Sequence, residues 1–252
     1  MILQSVPRSY TRGLYNTFGF DPASTPFAPP PEVPVFRFLL AFAFAVPAAL
    51  GQEPPVDPFA KWDKEISAIE ARLKAKPPEK GSIFFAGSSS IKLWDLKKSF
   101  PDLPVVNVGF GGSIIRDTTH FAGKILLPYE PKAIVFYAGD NDLGAKRTPE
   151  QVREDFREFV KVIRGKLPKA EILFVAVKPS PKRWAIYDQQ QKANAMVKED
   201  CEKGENLKYV GVVGPMLGKD GMPLPDIFKA DNLHMNDKGY EIWTAILKPM
   251  LK

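Results

Sequence analysis

The chain is short of the residues that would build a metal or redox centre. Of its 252 residues one is a cysteine, Cys201, and two are histidines, His120 and His234. A single thiol excludes an internal disulfide, and so few thiols and imidazoles exclude a cysteine-rich metal site. Cys201 lies in a charged stretch of helical spacing with no histidine beside it and is read as structurally incidental. Any mechanism that needs an imidazole base has only two residues to draw on. Clustered charge is lacking too. The formal charge is +6, and after residue 51 the 32 basic and 27 acidic side chains alternate along the helical stretches. That pattern describes solvated helix faces and excludes a nucleic-acid footprint.

Long apolar runs are also scarce. Phe38 to Leu50 is a 13-residue run preceded by Arg37 and closed by Ala49-Leu50-Gly51. It is too short to span a bilayer comfortably, and the small residues at its end suit a signal peptidase. The expectation is a signal peptide over 36–51, cleaved near Gly51/Gln52, hence export to a periplasmic or extracellular space without stable membrane insertion. No cysteine follows the run, so a lipoprotein anchor is not expected. Residues 1–35 are rich in Pro, Ser and Phe without periodicity and read as disordered, and 11 of the 25 prolines fall before residue 59. Such a length ahead of a signal is unusual and points to a true start further downstream. Residues 52–58 read as a linker and 59–252 as one folded domain.

From Phe59 the texture becomes alternating apolar runs and amphipathic stretches, without internal repeats. Ile83–Ala86, Val105–Val108, Ala133–Tyr137, Glu171–Val177 and Leu207–Val213 are continuous Val/Ile/Phe-rich runs, the pattern of strands covered on both faces. Helical spacing marks Phe59–Ala75, Ile114–Leu127, Pro149–Leu167, Trp184–Lys203 and Lys238–Leu251, with Thr148 as N-cap before Pro149. Strand alternating with helix predicts an α/β fold: a three-layer α/β/α sandwich around a five-stranded parallel sheet.

In an open parallel sheet the ligand crevice lies beyond the C-terminal strand ends, so residues just after each run carry the chemistry. Gly87-Ser88-Ser89-Ser90 follows the first strand, Asn107-Val108-Gly109-Phe110-Gly111-Gly112-Ser113 the second, and Gly139-Asp140-Asn141-Asp142 the third. Asp231-Asn232-Leu233-His234 comes after the fifth. Together these can build an acyl-transfer site. A serine hydroxyl needs a base to take its proton, and the base needs a third group to orient it. At a spacing of three, Asp231 can fix the tautomer of His234 through the ring N–H. Gly112 N–H, Ser89 N–H and the Asn141 amide form a reasonable set of donors for an oxyanion.

These four blocks, in this order from about Ser82 to the C-terminus, resemble the SGNH/GDSL hydrolase superfamily and, within it, the acetylhydrolase-like branch. The resemblance implies Ser89 as nucleophile in preference to its neighbours Ser88 and Ser90, Asp231 and His234 as its triad partners, and an oxyanion hole of Ser89, Gly112 and Asn141. It also implies a flavodoxin-like strand order and catalysis without metal or cofactor. The expected activity is a serine esterase acting on short acyl, chiefly acetyl, esters of small molecules or carbohydrates. One position departs from the pattern: the family's Gly-Asp-Ser reads Gly87-Ser88-Ser89 here. That change keeps a rival open, a non-catalytic carbohydrate- or partner-binding domain on the same fold.

Other readings of the same residues are weaker. Gly109-Phe110-Gly111-Gly112 fails as a dinucleotide fingerprint because its sixth position is Ile114 and no acidic residue closes the following strand. Asp140 and Asp142 read as turn residues, and His120 as structural. Ser88 and Trp184 are candidate substrate contacts, Trp184 by stacking on a sugar ring from the loop 178–184.

Overall fold

The computed structural model describes residues 57–251, together with Pro29, Pro31 and Glu32. Apart from those three positions, the expected N-terminal extension, the signal segment and all of the linker before Asp57 lie outside the described residues.

Five parallel strands form the sheet: β1 (Ile83–Gly87), β2 (Val105–Asn107), β3 (Ala133–Tyr137), β4 (Glu171–Val175) and β5 (Leu207–Val210), in the order β2-β1-β3-β4-β5. The helices are α1 (Asp63–Ala75), α2 (Ser89–Lys92), α3 (Leu96–Ser99), α4 (Ile115–Ile125), α5 (Asp140–Gly144), α6 (Pro149–Arg164), α7 (Tyr187–Lys203) and α8 (Asp237–Leu247). The expected strands 105–108, 171–177 and 207–213 end one to three residues earlier than the apolar runs. Their last apolar residues, such as Val108, Val177 and Val212, stay buried after leaving the ladder, so burial outlasts pairing. The stretch 184–203 is likewise split: a 3-10 segment over Pro181–Ile186 leads into α7. The short helices α2, α3 and α5 carry too few residues for a periodic signal.

Successive strand side chains alternate between two cores, as the pleat requires. Phe84, Ala86, Ile134, Phe136, Ile172 and Phe174 face α1, α4, α6 and α7, whereas Ile83, Phe85, Val135, Tyr137, Leu173 and Val175 face α2, α3 and α8. Phe136 stacks on Phe159 of α6 at 4.1 Å, and Trp94 meets Trp243 of α8 edge-on at 5.5 Å. Thr148 caps α6 as expected: its hydroxyl accepts from Gln151 N at 3.2 Å, and the Gln151 side chain accepts from Thr148 N at 3.0 Å. Cys201 is buried in α7, where burial pushes its thiol up to about 12, away from nucleophilic use.

Two features at the C-terminal ends of β1 and β3 position the loops that leave them. Gly87, at φ 124°, pairs with Tyr137, and a Cβ on it would fall 1.9 Å from the Tyr137 carbonyl oxygen. Only glycine lets the chain turn here so close to β3. Across from it, Asp142 is fully buried in α5. Its two oxygens accept from Gly139 N at 2.9 Å and from Ile115 N at 3.1 Å, so one carboxylate closes the α5 turn and ties it to α4. Asp140 and Asp142, expected as turn residues, stand at the start of a short helix and are buried, at 5% and 0% exposure.

Gly87→Ala is expected to destabilise the protein by roughly 3 kcal/mol or more, from the left-handed backbone and the clash together; denaturant melts of both proteins check this. For Asp142, burial outweighs the backbone hydrogen bonds and raises the carboxyl to about 6. Its folded value lies above its unfolded one, so the bound proton stabilises the fold fully below about 4, and that contribution is lost as pH rises through about 6. Relative to Asp142→Asn, the wild type should lose up to about 3 kcal/mol between those limits. A flat difference in denaturant midpoints measured from pH 4 to 7 would contradict it.

Candidate active site

Strand order reverses between β1 and β3, and the crevice at that switch point receives the loops after β1, β2 and β3. The chain after β1 passes from Gly87 into α2, with Ser89 as its first residue. Ser88 N donates to Tyr137 O at 3.0 Å, which fixes the exit of β1 to the end of β3. Of the three consecutive hydroxyls only that of Ser89 stands partly open; Ser88 and Ser90 are buried at 2% and 3% exposure. Burial thus separates Ser89 from its neighbours, which composition alone leaves equivalent. It also withdraws Ser88 from the open face, against its expected role as a substrate contact.

His234 reaches Ser89 from the other end of the sequence. Its Nε2 lies 3.0 Å from Ser89 Oγ, and its Nδ1 lies 2.6 Å from Asp231 Oδ2. The second oxygen of Asp231 accepts from Leu233 N at 3.0 Å and His234 N at 2.9 Å. Asp231 therefore builds the turn that carries the imidazole and orients the ring at the same time. Asn232, at φ 57°, makes the bend. Desolvation acts to raise the Asp231 carboxyl, but the His234 ring and the two backbone N–H groups outweigh it and hold the group well below the ordinary carboxylate range. It stays ionised.

The loop is clamped on both sides. Lys229 N donates to His234 O at 2.8 Å, and α8 starts at once, with Asn236 Oδ1 accepting from Gly239 N at 3.3 Å. From α8 the phenol of Tyr240 donates to Ser90 O at 2.9 Å. The helix next after the imidazole thus holds the turn that carries the hydroxyl.

Candidate hydrogen-bond donors stand on the loops after β1, β2 and β3. Ser89 N is the first amide of a helix and has no intrahelical acceptor. Gly112 is exposed at φ 77°, and no described residue accepts from its N–H. The β2 loop reaches this point through Asn107, whose amide donates to Ile91 O at 2.7 Å and accepts from Gly109 N at 3.0 Å. A Cβ on Gly109 would lie 2.6 Å from Lys92 N, so the close pass over α2 needs glycine. Asn141 Nδ2 donates to Ser113 O at 3.0 Å, which leaves its second N–H unused by that bond. The structure brings Ser89, His234 and Asp231 into direct contact, with Gly112 on the loop after β2 and Asn141 in the helix that follows β3.

Two expectations fare differently. Trp184 is half-buried and stacks on Tyr187 at 4.3 Å, so one of its faces is taken by protein. His120 stacks on Phe59 at 3.8 Å, away from the triad loops, in keeping with a structural role. One cluster is only partly foreshadowed by the sequence. Asp140 accepts from buried Lys178 at 3.1 Å and from Gln190 at 3.3 Å, and Arg183 lies 3.3 Å from the same carboxylate. The basic character of loop 178–184 is visible in the sequence, but its acidic partner on α5 is not.

No curated protein matches the chain. Among solved structures the likeness is of fold. A protein from Streptococcus pneumonia, provisionally described as a platelet activating factor, aligns at 20% identity and TM-score 0.68, over 76% of this chain and 94% of its own. A GDSL-like lipase from Bacteroides thetaiotaomicron aligns at 19% and 0.60, over 77% and 97%. A catalytic mutant of an acetylxylan esterase from Geobacillus stearothermophilus aligns at 14% and 0.57, over 70% and 96%. The family model of the GDSL-like lipases and acylhydrolases matches residues 93–242, which include Gly112, Asn141, Asp231 and His234 but begin just after Ser89. With that match over more than half its length, and with an α/β sheet of the SGNH hydrolase order, the chain belongs to the GDSL-like lipase/acylhydrolase family.

Proposed function

We propose that the protein is a serine esterase that hydrolyses short acyl, chiefly acetyl, esters through a covalent acyl-enzyme. The observation that carries this is the unbroken line from Ser89 Oγ through His234 to Asp231, at 3.0 and 2.6 Å. Ser89 Oγ attacks the ester carbonyl while His234 Nε2 takes its proton. Ionised Asp231 stabilises the imidazolium without taking the proton itself. The oxyanion of the tetrahedral intermediate lies among the N–H groups of Ser89, Gly112 and Asn141. His234 then gives its proton to the departing alcohol, and in the second half it activates water, which releases the acid and restores Ser89.

The open character of the site supports small acyl groups. Gly112 and Asp231 are exposed, and two recesses of about 410 and 750 Å3 elsewhere on the described residues are lined by neither Ser89 nor His234. The fold neighbour described as an acetylxylan esterase agrees with an acetyl ester, and with a carbohydrate as the alcohol. The apolar run 38–50 behind Arg37 supports export, which fits a polymeric carbohydrate substrate.

Ser89→Ala is expected to lower hydrolysis of an aryl acetate by on the order of 10⁴-fold or more, and Asn141→Ala by roughly 10²–10³-fold. A serine-directed phosphonate should label the wild type and not Ser89→Ala; full activity in Ser89→Ala would refute the mechanism. Export is checked by sequencing the N-terminus of protein recovered outside the cytoplasm, which should begin near Gln52.

A further inference from the structure

The carboxamide of Asn141 presents a problem that its own loop does not solve. An asparagine amide can turn over, exchanging its oxygen and nitrogen at little energetic difference unless partners distinguish them. As a donor to an oxyanion it must keep Nδ2 inward. Ser113 O accepts from Nδ2 at 3.0 Å, and on the other side Arg183 donates from its terminal nitrogen to Asn141 Oδ1 at 3.1 Å. In the reversed orientation the amide nitrogen would face the guanidinium and the amide oxygen would face a carbonyl, so both contacts would become repulsive. Arg183 and the Ser113 carbonyl together define which end of the amide faces the crevice.

The surroundings of Arg183 are built for this. Its Nε lies 3.3 Å from Asp140 Oδ1, and Asp140 is held in turn by Lys178, whose side chain is 1% exposed, and by Gln190. The guanidinium occupies space that only a missing side chain provides: a Cβ on Gly144 would fall 1.2 Å from one of its nitrogens. Arg183 itself has a non-helical backbone (φ −115°, ψ 19°) inside the 3-10 segment. One residue earlier, Lys182 N donates to Asn232 O at 3.0 Å. The same short segment thus touches the donor loop and the loop of Asp231 and His234.

Resting on the esterase reading above, we infer that Arg183 is a positioning residue for the oxyanion donor Asn141. It acts in two ways. It locks the amide orientation, and its charge-assisted bond to Oδ1 draws electron density from the amide, which makes the remaining N–H a stronger donor. Asp140, Lys178 and Arg183 together carry a net single positive charge, which favours the negative charge that develops beside it.

The test compares Arg183→Met, Arg183→Lys and Gly144→Ala on an aryl acetate, alone and combined with Asn141→Ala. Gly144→Ala keeps every charge but displaces the guanidinium, so it decides the matter even where Arg183→Met fails to fold. Arg183→Met and Gly144→Ala should each lower kcat about 10- to 100-fold, below or near the loss from removing the donor itself, with KM changed less than about threefold. Arg183→Lys, which keeps the charge but not the planar fork, should fall between them and the wild type. In the Asn141→Ala background neither change should lower kcat further, because the residues act as a unit. Unchanged kcat in Gly144→Ala and in folded Arg183→Met overturns the inference, and so does an undiminished loss in the Asn141→Ala background. Activity that survives Ser89→Ala would instead defeat the esterase reading, and this inference with it.

Discussion

The register of β1 against β3 is the constraint on which the site depends. Gly87 pairs with Tyr137, and the next amide, Ser88 N, still donates to Tyr137 O at 3.0 Å. Ser89 and Asn141 thus leave neighbouring strands within a few residues of a shared hydrogen bond. The crossovers that leave β1 and β3 run to opposite faces of the sheet, through α2 and α3 on one side and α6 on the other, so the two loops diverge and leave a crevice between them. Everything else reaches that crevice by longer routes: the β2 loop by the bonds of Asn107, and the His234 loop through α8, whose Tyr240 holds Ser90 O. The pairing fixes two site residues directly, and the tertiary contacts then fix the others relative to those two.

Three aspartates of one chemistry meet three different surroundings around this crevice. Asp231 is half-exposed, and three donors hold it ionised and low. Asp142 is fully buried with two backbone donors, and desolvation wins, raising it to about 6. Asp140, equally hidden, has two cations against it, Lys178 and Arg183. The first fits the orientation of an imidazole, which needs a permanent charge. The second fits a structural brace between α4 and α5. The third anchors a cation beside the carboxamide of Asn141. A buried ion pair contributes little net stability after desolvation, so the Asp140–Lys178–Arg183 cluster is better understood as a device of position than of folding energy.

The sequence carried the sheet and the site to different depths. Buried parallel strands are continuous apolar runs, so all five were legible, and their ends were misplaced by one to three residues, mostly where Val108, Val177 or Val212 stay buried after the ladder has ended. The triad residues were legible because each chemical block follows a strand or precedes a helix, and because so few imidazoles are available. Position 89 was distinguishable from 88 and 90 by resemblance alone; in the fold, burial makes the distinction. The cluster around Asp140 was not legible, because its members come from three separate segments (140, 178–183 and 190) and each looks like ordinary surface polarity in isolation. Trp184 drew attention as an aromatic in a polar loop, yet Tyr187, three residues on, takes one of its faces.

The departure at position 88 can be argued from the same geometry. The family's block places an aspartate before the nucleophile, and the family match here begins only at residue 93, beyond it. In this fold Ser88 is 2% exposed, and its backbone, in extended geometry at φ −85°, closes the β1–β3 contact through its N–H. Its side chain makes no cap bond to α2. A buried carboxylate would need donors or a counter-charge to offset its desolvation, whereas a hydroxyl is far less demanding. The roles essential to the proposed chemistry belong instead to the backbone of 88, to the hydroxyl of 89 and to the loop 231–234. None of these requires a carboxylate at 88, so the substitution leaves the line from Ser89 to Asp231 intact while removing one charge from beneath it.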